Sequence, residues 1–156
     1  MADLLVKLYD LPAMETSALG AVTVRRAMAY EKQHVIGWVG ANFGEAWASE
    51  CDVAFSNRPI SCHIAVGRGE VIGFACFDAT CRGFFGPVGV AVEARQKGIG
   101  RALLLSTLHA MSAAGYAYAV VGGAGEPGFY AEAVGAIEIP DSTPGIYRDR
   151  LKALKP

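Results

Sequence analysis

Apolar and polar positions in the first third of the chain predict two strands and two helices. Residues 22–26 alternate apolar and basic side chains, as a half-buried strand does, and residues 4–9 predict an edge strand before them. Apolar side chains recur at helical spacing over residues 29–42 and 45–55. We expect residues 11–20, between the two strands, to form a loop.

Three apolar segments then follow one another, at residues 60–66, 71–77 and 84–92. Each is short and ends at turn-forming residues, which is typical of buried strands. The turn Gly67-Arg68-Gly69 between the first two segments predicts an antiparallel hairpin. The middle of the chain is therefore expected to supply the centre of a sheet.

An uncharged run from residue 102 to residue 125 is long enough to cross a bilayer, which needs about 20 apolar residues. Large apolar residues recur at helical spacing in its first part, and Gly115 stops that pattern. Residues 116–121 are aromatic and β-branched, the composition of a strand. We therefore expect a helix over residues 98–114 and then a strand, which together with strand 84–92 form a right-handed β-α-β unit with parallel strands.

The last part of the chain predicts a short helix at residues 129–134 and short strands at 136–139 and 145–148. No internal repeat, low-complexity tract or linker interrupts the sequence, so residues 1–156 are expected to form one domain. The mixture of an antiparallel hairpin and a parallel unit gives the fold class as α/β or α+β with a mixed sheet.

Composition narrows the classes of function. Of 156 residues, 53% are hydrophobic and 19% are charged, which excludes a disordered chain. The net charge of -1 gives no general attraction for nucleic acid or for an anionic membrane, so we expect neither as a partner. Any anionic ligand must be held by a local group of cations.

The four cysteines and the N-terminus carry no targeting or metal signal. Cys51, Cys62, Cys76 and Cys81 form no C-x-x-C pair, so no metal site is predicted, and we expect reduced thiols packed as small hydrophobic groups in a cytoplasmic protein. Near the N-terminus, Asp3 precedes a short apolar run that Lys7 and Asp10 interrupt, which does not fit a signal peptide.

One glycine-containing loop has the properties of a diphosphate site. It lies between a predicted strand and a predicted helix, where backbone N–H groups are unpaired and the helix dipole is positive. Gly98 and Gly100 allow a close approach of the backbone, and Arg95, Lys97 and Arg101 place three cations together. The alternative is a solvated basic helix start with a tight turn.

A second loop, from Gly123 to Gly128, matches the spacing G-x-G-x-x-G of dinucleotide-binding proteins. Glu126 would place a carboxylate against the pyrophosphate. Only 28 residues follow Gly128, too few for the remaining strands of a doubly wound nucleotide domain. We therefore prefer the first loop as the phosphate site.

Two segments carry a resemblance to a known family. Arg95-Gln96-Lys97-Gly98-Ile99-Gly100 fits the R/Q-x-x-G-x-G/A acetyl-CoA signature, and Phe129-Tyr130 with Gly135 resembles the later F-Y-x-x-x-x-G-F motif. Over about residues 60–140 the chain resembles the GCN5-related N-acetyltransferase (GNAT) superfamily. The resemblance implies a mixed, mostly antiparallel central sheet flanked by helices, with a splayed central pair of strands.

The same resemblance implies how acetyl-CoA would be held. The pantetheine arm would dock on the exposed backbone of the strand before the loop, and the pyrophosphate on backbone N–H groups of the loop. A glycine in that strand is compatible with a bulge or close approach, and equally with relief of packing. The expected cofactor-binding residues are Val88, Gly89, Val90, Arg95, Gln96, Lys97, Gly98, Ile99, Gly100 and Arg101.

Tyr130 matches the position at which the family often keeps a tyrosine that protonates or hydrogen-bonds the leaving thiolate. Read from the residues alone, it would be a core aromatic at a helix start. The general base is not identified by any motif; Glu50, Asp78 and Glu126 are candidates because they fall near predicted loops or strand ends. Many family members carry an asparagine about seven residues before the tyrosine, where this chain has Gly123.

The function that the resemblance implies is transfer of the acetyl group of acetyl-CoA to a primary amine of a small molecule or peptide. The acceptor wall is expected to come from Trp38, Trp47, the Phe84-Phe85 pair and Tyr147, with ordinary core aromatics as the alternative. A non-catalytic acyl-CoA-binding sensor or partner-binding module of the same fold also stays open. A terminal edge strand could pair across a homodimer.

Overall fold

A computed structural model describes residues 1–14 and 19–154 of the chain. Residues 15–18 of the loop expected at 11–20 lie outside this description. The strands and helices, in chain order, are β1 (Leu4–Lys7), β2 (Thr23–Arg26), α1 (Lys32–Phe43), α2 (Glu45–Ser56), β3 (Cys62–Gly67), β4 (Glu70–Phe77), β5 (Phe84–Val90), α3 (Ile99–Ala113), β6 (Tyr118–Val121), α4 (Pro127–Val134) and β7 (Ile137–Glu138).

The strands form one mixed sheet in the order β2-β3-β4-β5-β6-β1-β7. Only β5 and β6 pair in parallel; the other described pairs are antiparallel. The predicted hairpin of β3 and β4 is confirmed. Its turn residues Arg68 and Gly69 both have positive φ, 52° and 75°, as a two-residue turn between twisted strands requires.

The predicted β-α-β unit is also confirmed, with α3 connecting β5 to β6. The strand begins at Tyr118 rather than residue 116, because the N–H of Tyr116 still bonds to the carbonyl of Met111 and closes the helix end. The uncharged run is thus a helix followed by a strand. Across residues 1–14 and 19–154, every helix is too short or too polar to span a bilayer.

Two hydrophobic clusters cover the two faces of the sheet. Strand residues alternate between them: Ile64 and Phe74 pack with α1 and α2, whereas Ala65 and Ala75 pack with α3 and α4. The cluster of α3 contains Leu103, Leu104, Leu108 and Met111, each without exposed surface. The pair α1–α2 and the pair α3–α4 therefore lie on opposite faces.

Two of the predictions about strands are wrong. The strand expected at the edge, β1, lies between β6 and β7, and it is buried through Leu4 and Val6. The sheet edges are β2 and β7 instead. The strand expected at 145–148 is a short 3-10 helix over Gly145–Tyr147, where Gly145 has φ 59° and cannot continue an extended strand.

Candidate functional site

The sheet opens between its two parallel strands. β5 and β6 pair only at Phe84 with Val120 and at Phe85 with Val121. Beyond Phe85, β5 continues for five residues along β4, while the chain after β6 turns away. The edge of β5 that faces β6 is therefore unpaired over this length within the described sheet, although β5 is a central strand.

A bulge in β5 accompanies this opening. Ala75 of β4 pairs with Val88, and Phe77 pairs with Phe85, so one residue of β4 lies opposite the two residues Gly86 and Pro87 of β5. A bulge bends the strand that carries it and increases its twist, which turns β5 away from β6. Val88, Gly89 and Val90, the predicted pantetheine-binding residues, are each only half-buried.

Gly89 leaves room for an aromatic ring. A Cβ built on this residue would lie 2.5 Å from Cζ of Phe43, at the end of α1. Relief of packing is thus sufficient to account for a glycine here. The unpaired backbone of β5 lies along its edge towards β6, whereas Phe43 packs against the face of the strand. A glycine at residue 89 is therefore compatible with an accessible backbone as well as with close packing.

The loop after β5 presents its backbone to solvent. Residues 92–94 form a 3-10 turn, Arg95 to Gly98 are exposed, and Gly98 begins α3 in the left-handed region with φ 80°. No side chain caps this helix end. The N–H groups of Ile99, Gly100 and Arg101 therefore lack helical partners and lie at the positive end of the helix dipole.

The three predicted cations remain available around this helix end. Arg95 donates from Nε to the carbonyl of Val90 at 3.0 Å, which holds its side chain along the end of β5. Within the described parts of the chain, neither Arg95, Lys97 nor Arg101 forms a salt bridge with a carboxylate. The loop accordingly concentrates positive charge on a chain whose net charge is -1.

A mainly apolar cavity of about 350 Å³ adjoins the loop on the side of β2. Gly98 and Arg101 form its rim, and Val24 and Leu105 are among the apolar residues that line it. The start of α3 therefore has cations at its solvent side and an apolar hollow beside it.

Tyr130 lies on the α4 side of the sheet, at the other end of β5. It is 8% exposed and packs edge-on against Phe85, with ring centroids 6.2 Å apart. Burial, and after it the charge of Glu126, raises the pKa of Tyr130 to about 12. The phenol is therefore protonated at neutral pH and can donate a hydrogen bond near the point where β5 and β6 separate.

The structure separates the three carboxylates that the sequence left as candidate bases. Asp78 accepts the N–H of Gly83 and the hydroxyl of Tyr116, each at 2.7 Å, so both of its oxygens hold loops together. Glu126 is exposed at the start of α4. Glu50 is half-buried on α2 and accepts a hydrogen bond from the hydroxyl of Thr80.

Tyr147 completes the α2 side of the opening. A Cβ built on Gly122, just after β6, would lie 2.5 Å from Oη of Tyr147 and 3.0 Å from a ring carbon of Phe84. Burial raises the pKa of Tyr147, and the nearby charge of Glu50 raises it further. Phe84, Tyr147 and Glu50 therefore gather on the face opposite Tyr130.

The glycine found in place of the family's usual asparagine has its own partner. The N–H of Gly123 donates to Oδ1 of Asp3 at 2.8 Å, and Asp3 is itself 7% exposed. The backbone N–H of Asp3 donates to Oγ of Ser142. A buried carboxylate just before β1 thus fixes the turn after β6, a role that no local sequence signal indicates.

Only part of the expected aromatic wall faces the opening. Phe84 and Tyr147 do so, whereas Phe85 is buried on the other face against Tyr130. Trp38 and Trp47 are half-buried, and both pack against Phe43 and Phe74. Sequence analysis missed Phe43 and Thr80; the former has helical spacing within α1, but no pattern marks the latter.

The chain was compared with protein families and known proteins. The profile of the Acetyltransferase (GNAT) family matches residues 8–135. The comparison with curated proteins found no match.

Three solved structures illustrate the similarity in fold. A GCN5-related N-acetyltransferase from Sphaerobacter thermophilus has a TM-score of 0.71 at 19% identity, covering 88% of this chain and 48% of that chain. A glucosamine N-acetyltransferase region of a fungal multi-domain beta-N-acetylglucosaminidase has a TM-score of 0.71 at 16% identity. The match covers 88% of this chain and 19% of that chain. The YhbS N-acetyltransferase of Escherichia coli, in complex with CoA, has a TM-score of 0.51 at 19% identity. The match covers 67% of this chain and 63% of that chain.

The chain spans less than two thirds of the length of each of these structures. Their likeness establishes the fold. The family profile covers well over half of the chain and includes both the loop before α3 and Tyr130. On this evidence the chain belongs to the GNAT family of acetyltransferases.

Proposed function

We propose that the protein transfers the acetyl group of acetyl-CoA to a primary amine of a small molecule or peptide. One observation carries this proposal: β5 ends at the cationic loop and, at its other end, places Phe85 against Tyr130. Five residues of extended strand span about 17 Å, a distance that the extended pantetheine arm can cross from diphosphate to thioester. The CoA complex of the Escherichia coli relative supports this use of the fold.

The cofactor would be held mainly by backbone groups. The N–H groups at the start of α3 bind the diphosphate, and Arg95, Lys97 and Arg101 supply counter-charge. The amides of Val88 to Val90 bind the pantetheine along the unpaired edge of β5. The thioester then lies at the separation point of β5 and β6, between Tyr130 on one face and Glu50 with Tyr147 on the other.

The reaction is a direct attack of the neutral amine on the thioester carbonyl carbon. The C–N bond forms, the C–S bond breaks, and the sulfur leaves with its electron pair. A lysine-like amine with a pKa of about 10.4 needs about 4–5 kcal/mol to lose its proton at neutral pH. Holding amine and thioester together contributes about 7–11 kcal/mol, so positioning outweighs the need for a strong base.

Glu50 is the carboxylate we assign as proton acceptor, directly or through water. It is half-buried on the acceptor face, and its negative charge raises the pKa of Tyr147. Thr80 holds one of its oxygens and leaves the other available. Asp78 has both oxygens occupied, and Glu126 lies on the α4 side with Tyr130.

Tyr130 acts on the leaving sulfur as the acid. Its pKa of about 12 is above that of an ordinary thiol, about 8.5, so complete proton transfer to the thiolate is uphill. A hydrogen bond to the developing negative charge therefore contributes most of the stabilisation. Hydrogen bonds to charged groups are worth about 1.5–3 kcal/mol, or about 10- to 100-fold in rate.

The test is an assay of CoA release over a panel of primary amines. Tyr130→Phe should lower kcat by about 10- to 100-fold and leave CoA affinity unchanged. The matched control is Tyr118→Phe, which removes a hydroxyl from an exposed tyrosine on β6. Tight CoA binding without turnover of any amine would favour the non-catalytic module, and absence of CoA binding would contradict the proposal altogether.

A further inference from the structure

Three cysteines that are far apart in the sequence meet in the core beneath α2. Cys51 comes from α2, and Cys62 and Cys76 are directly paired positions on β3 and β4. All three side chains have no exposed surface. Their sulfur atoms lie within 4.8 Å of one another, and the sulfurs of Cys51 and Cys62 are 4.0 Å apart.

This spacing is close to that of three ligands on one ion. In an equilateral triangle with edges of 4.0 Å, each corner lies about 2.3 Å from the centre, which is the zinc–thiolate bond length of about 2.3 Å. Edges of 4.8 Å place the corners about 2.8 Å away, so a contraction of about half an ångström suffices. Trivalent arsenic binds three sulfurs as a pyramid and lies outside their plane, so the three side chains must come closer together than this to bind it.

The surroundings provide three sulfurs and no further ligand. Within residues 1–14 and 19–154, no histidine, aspartate or glutamate ligand atom joins the group. Its neighbours in the cluster are apolar, among them Ala54, Ile64 and Phe74. Structural zinc is almost always four-coordinate, so this site is one ligand short for zinc and suits an ion that accepts three.

The net charge of the three thiolates together with the bound ion distinguishes between such ions. Three thiolates carry three negative charges, and burial of net charge in an apolar core is costly. Cu(I) would leave two negative charges, whereas trivalent arsenic would leave none.

We infer that Cys51, Cys62 and Cys76 form a binding site for a three-coordinate thiophilic ion, with arsenite as the favoured ligand. Arsenous acid, As(OH)3, would react with three thiols to give one As(SR)3 group and three water molecules. Three As–O bonds break and three As–S bonds form, each thiol proton leaves in a water molecule, and no atom is oxidised or reduced. The product links α2 to β3 and β4.

The site is closed in this structure, so α2 must move outward to admit the ion. Residues 52 and 53 on the outer face of α2 are exposed, and the inner face meets the sheet through Cys51, Ala54 and Phe55. Local opening of a surface helix is an ordinary fluctuation of a folded protein. We therefore expect the ion to bind slowly, over hours.

The experiment uses the full chain, reduced with a phosphine and freed of small thiols. Sodium arsenite is added, and intact-mass measurement should show one arsenic less three hydrogens per chain. After denaturation, alkylation should modify Cys81 alone of the four cysteines. Parallel samples with Cu(I) and with zinc distinguish the ions; arsenite should bind, Cu(I) should bind more weakly, and zinc should not stay bound through dialysis.

Cys81→Ser is the matched control, because Cys81 is exposed and outside the group. It should keep the adduct, whereas Cys51→Ala, Cys62→Ala and Cys76→Ala should each lose it. If a core variant does not fold, the alkylation pattern of the unsubstituted chain still identifies the ligands. Absence of an adduct, an adduct that includes Cys81 or leaves Cys76 free, or retention of zinc would each overturn the inference.

Discussion

The hydroxyl of Tyr147 lies where a side chain of residue 122 would begin, since a Cβ on Gly122 would come within 2.5 Å of Oη. This contact fixes Tyr147 against the end of β6, next to Phe84 and on the face of Glu50. The 3-10 helix Gly145–Tyr147 thus contributes to the proposed acceptor side only because the residue after β6 is a glycine.

Gly122→Ala should displace Tyr147 and raise KM for the amine, with a smaller effect on CoA affinity. Overpacking of this kind costs about 1–3 kcal/mol, which corresponds to about 5- to 150-fold. Steady-state kinetics with the amine and with acetyl-CoA as the varied substrate measures the two effects separately. The control is Gly37→Ala in α1, where a Cβ meets nothing within 4 Å and should leave both constants unchanged.

Asp78 and Glu50 should respond differently to substitution. Asp78→Ala removes the acceptor of two hydrogen bonds and should lower the free energy of unfolding by about 1–3 kcal/mol, with kcat retained. Glu50→Gln should lower kcat at pH 7 by about 100-fold. Its deficit should shrink as the pH rises towards the pKa of the amine, because the substrate then loses its proton unaided. A pH-independent deficit would contradict the role of Glu50 as base.

The cations of the loop before α3 should act on the diphosphate of CoA. Arg95→Ala, Lys97→Ala and Arg101→Ala should each weaken CoA binding by about 0.2–1 kcal/mol, as exposed charges do, and the loss should be smaller at high salt. Calorimetry measures the affinity of each variant for CoA and for pantetheine, which lacks the diphosphate. A loss of affinity for CoA alone shows that the cation acts on the diphosphate. Lys152→Ala is the control; equal losses for both ligands would contradict this assignment.

Gly89→Ala tests the contact between β5 and the end of α1. The new methyl group would overlap the Phe43 ring, whose atoms Cζ and Cε1 lie 2.5 and 2.8 Å from the Cβ position. We expect a loss of about 1–3 kcal/mol in the free energy of unfolding, measured with urea. Adding Phe43→Leu should recover part of this loss, and additive effects of the two substitutions would show that the contact is absent.

Because His63 is buried, the free energy of unfolding should fall in acid. Burial, and then the charge of Arg26, lowers its pKa to about 4, against about 6.5 in the unfolded chain. The unfolded chain therefore binds this proton first, and stability present above pH 6.5 is lost as the pH falls towards 4. The loss attributable to His63 should approach about 3 kcal/mol at pH 4. His63→Leu should remove this part of the pH dependence in urea titrations.

Most elements could be predicted from the sequence because their patterns are local. The alternation of β2, the apolar runs of β3 to β5 and the helical spacing of α3 each reflect a face that must be buried. The exposed loop before α3 was likewise predictable from the glycines between strand and helix, and its binding of a diphosphate stays a prediction. The failed strand at 145–148 is a short segment in which Gly145 adopts a left-handed conformation that the sequence permits but does not require.

By itself, the sequence determined most of the helices and strands, and that an exposed loop with glycines and cations precedes α3. These properties depend on residues within a few positions of one another. Only the tertiary structure decided that β1 lies inside the sheet, that Asp3 holds the turn at Gly123, and that three cysteines converge. Strand order and sheet pairing bring together residues distant in the chain, and no spacing along the sequence encodes that proximity.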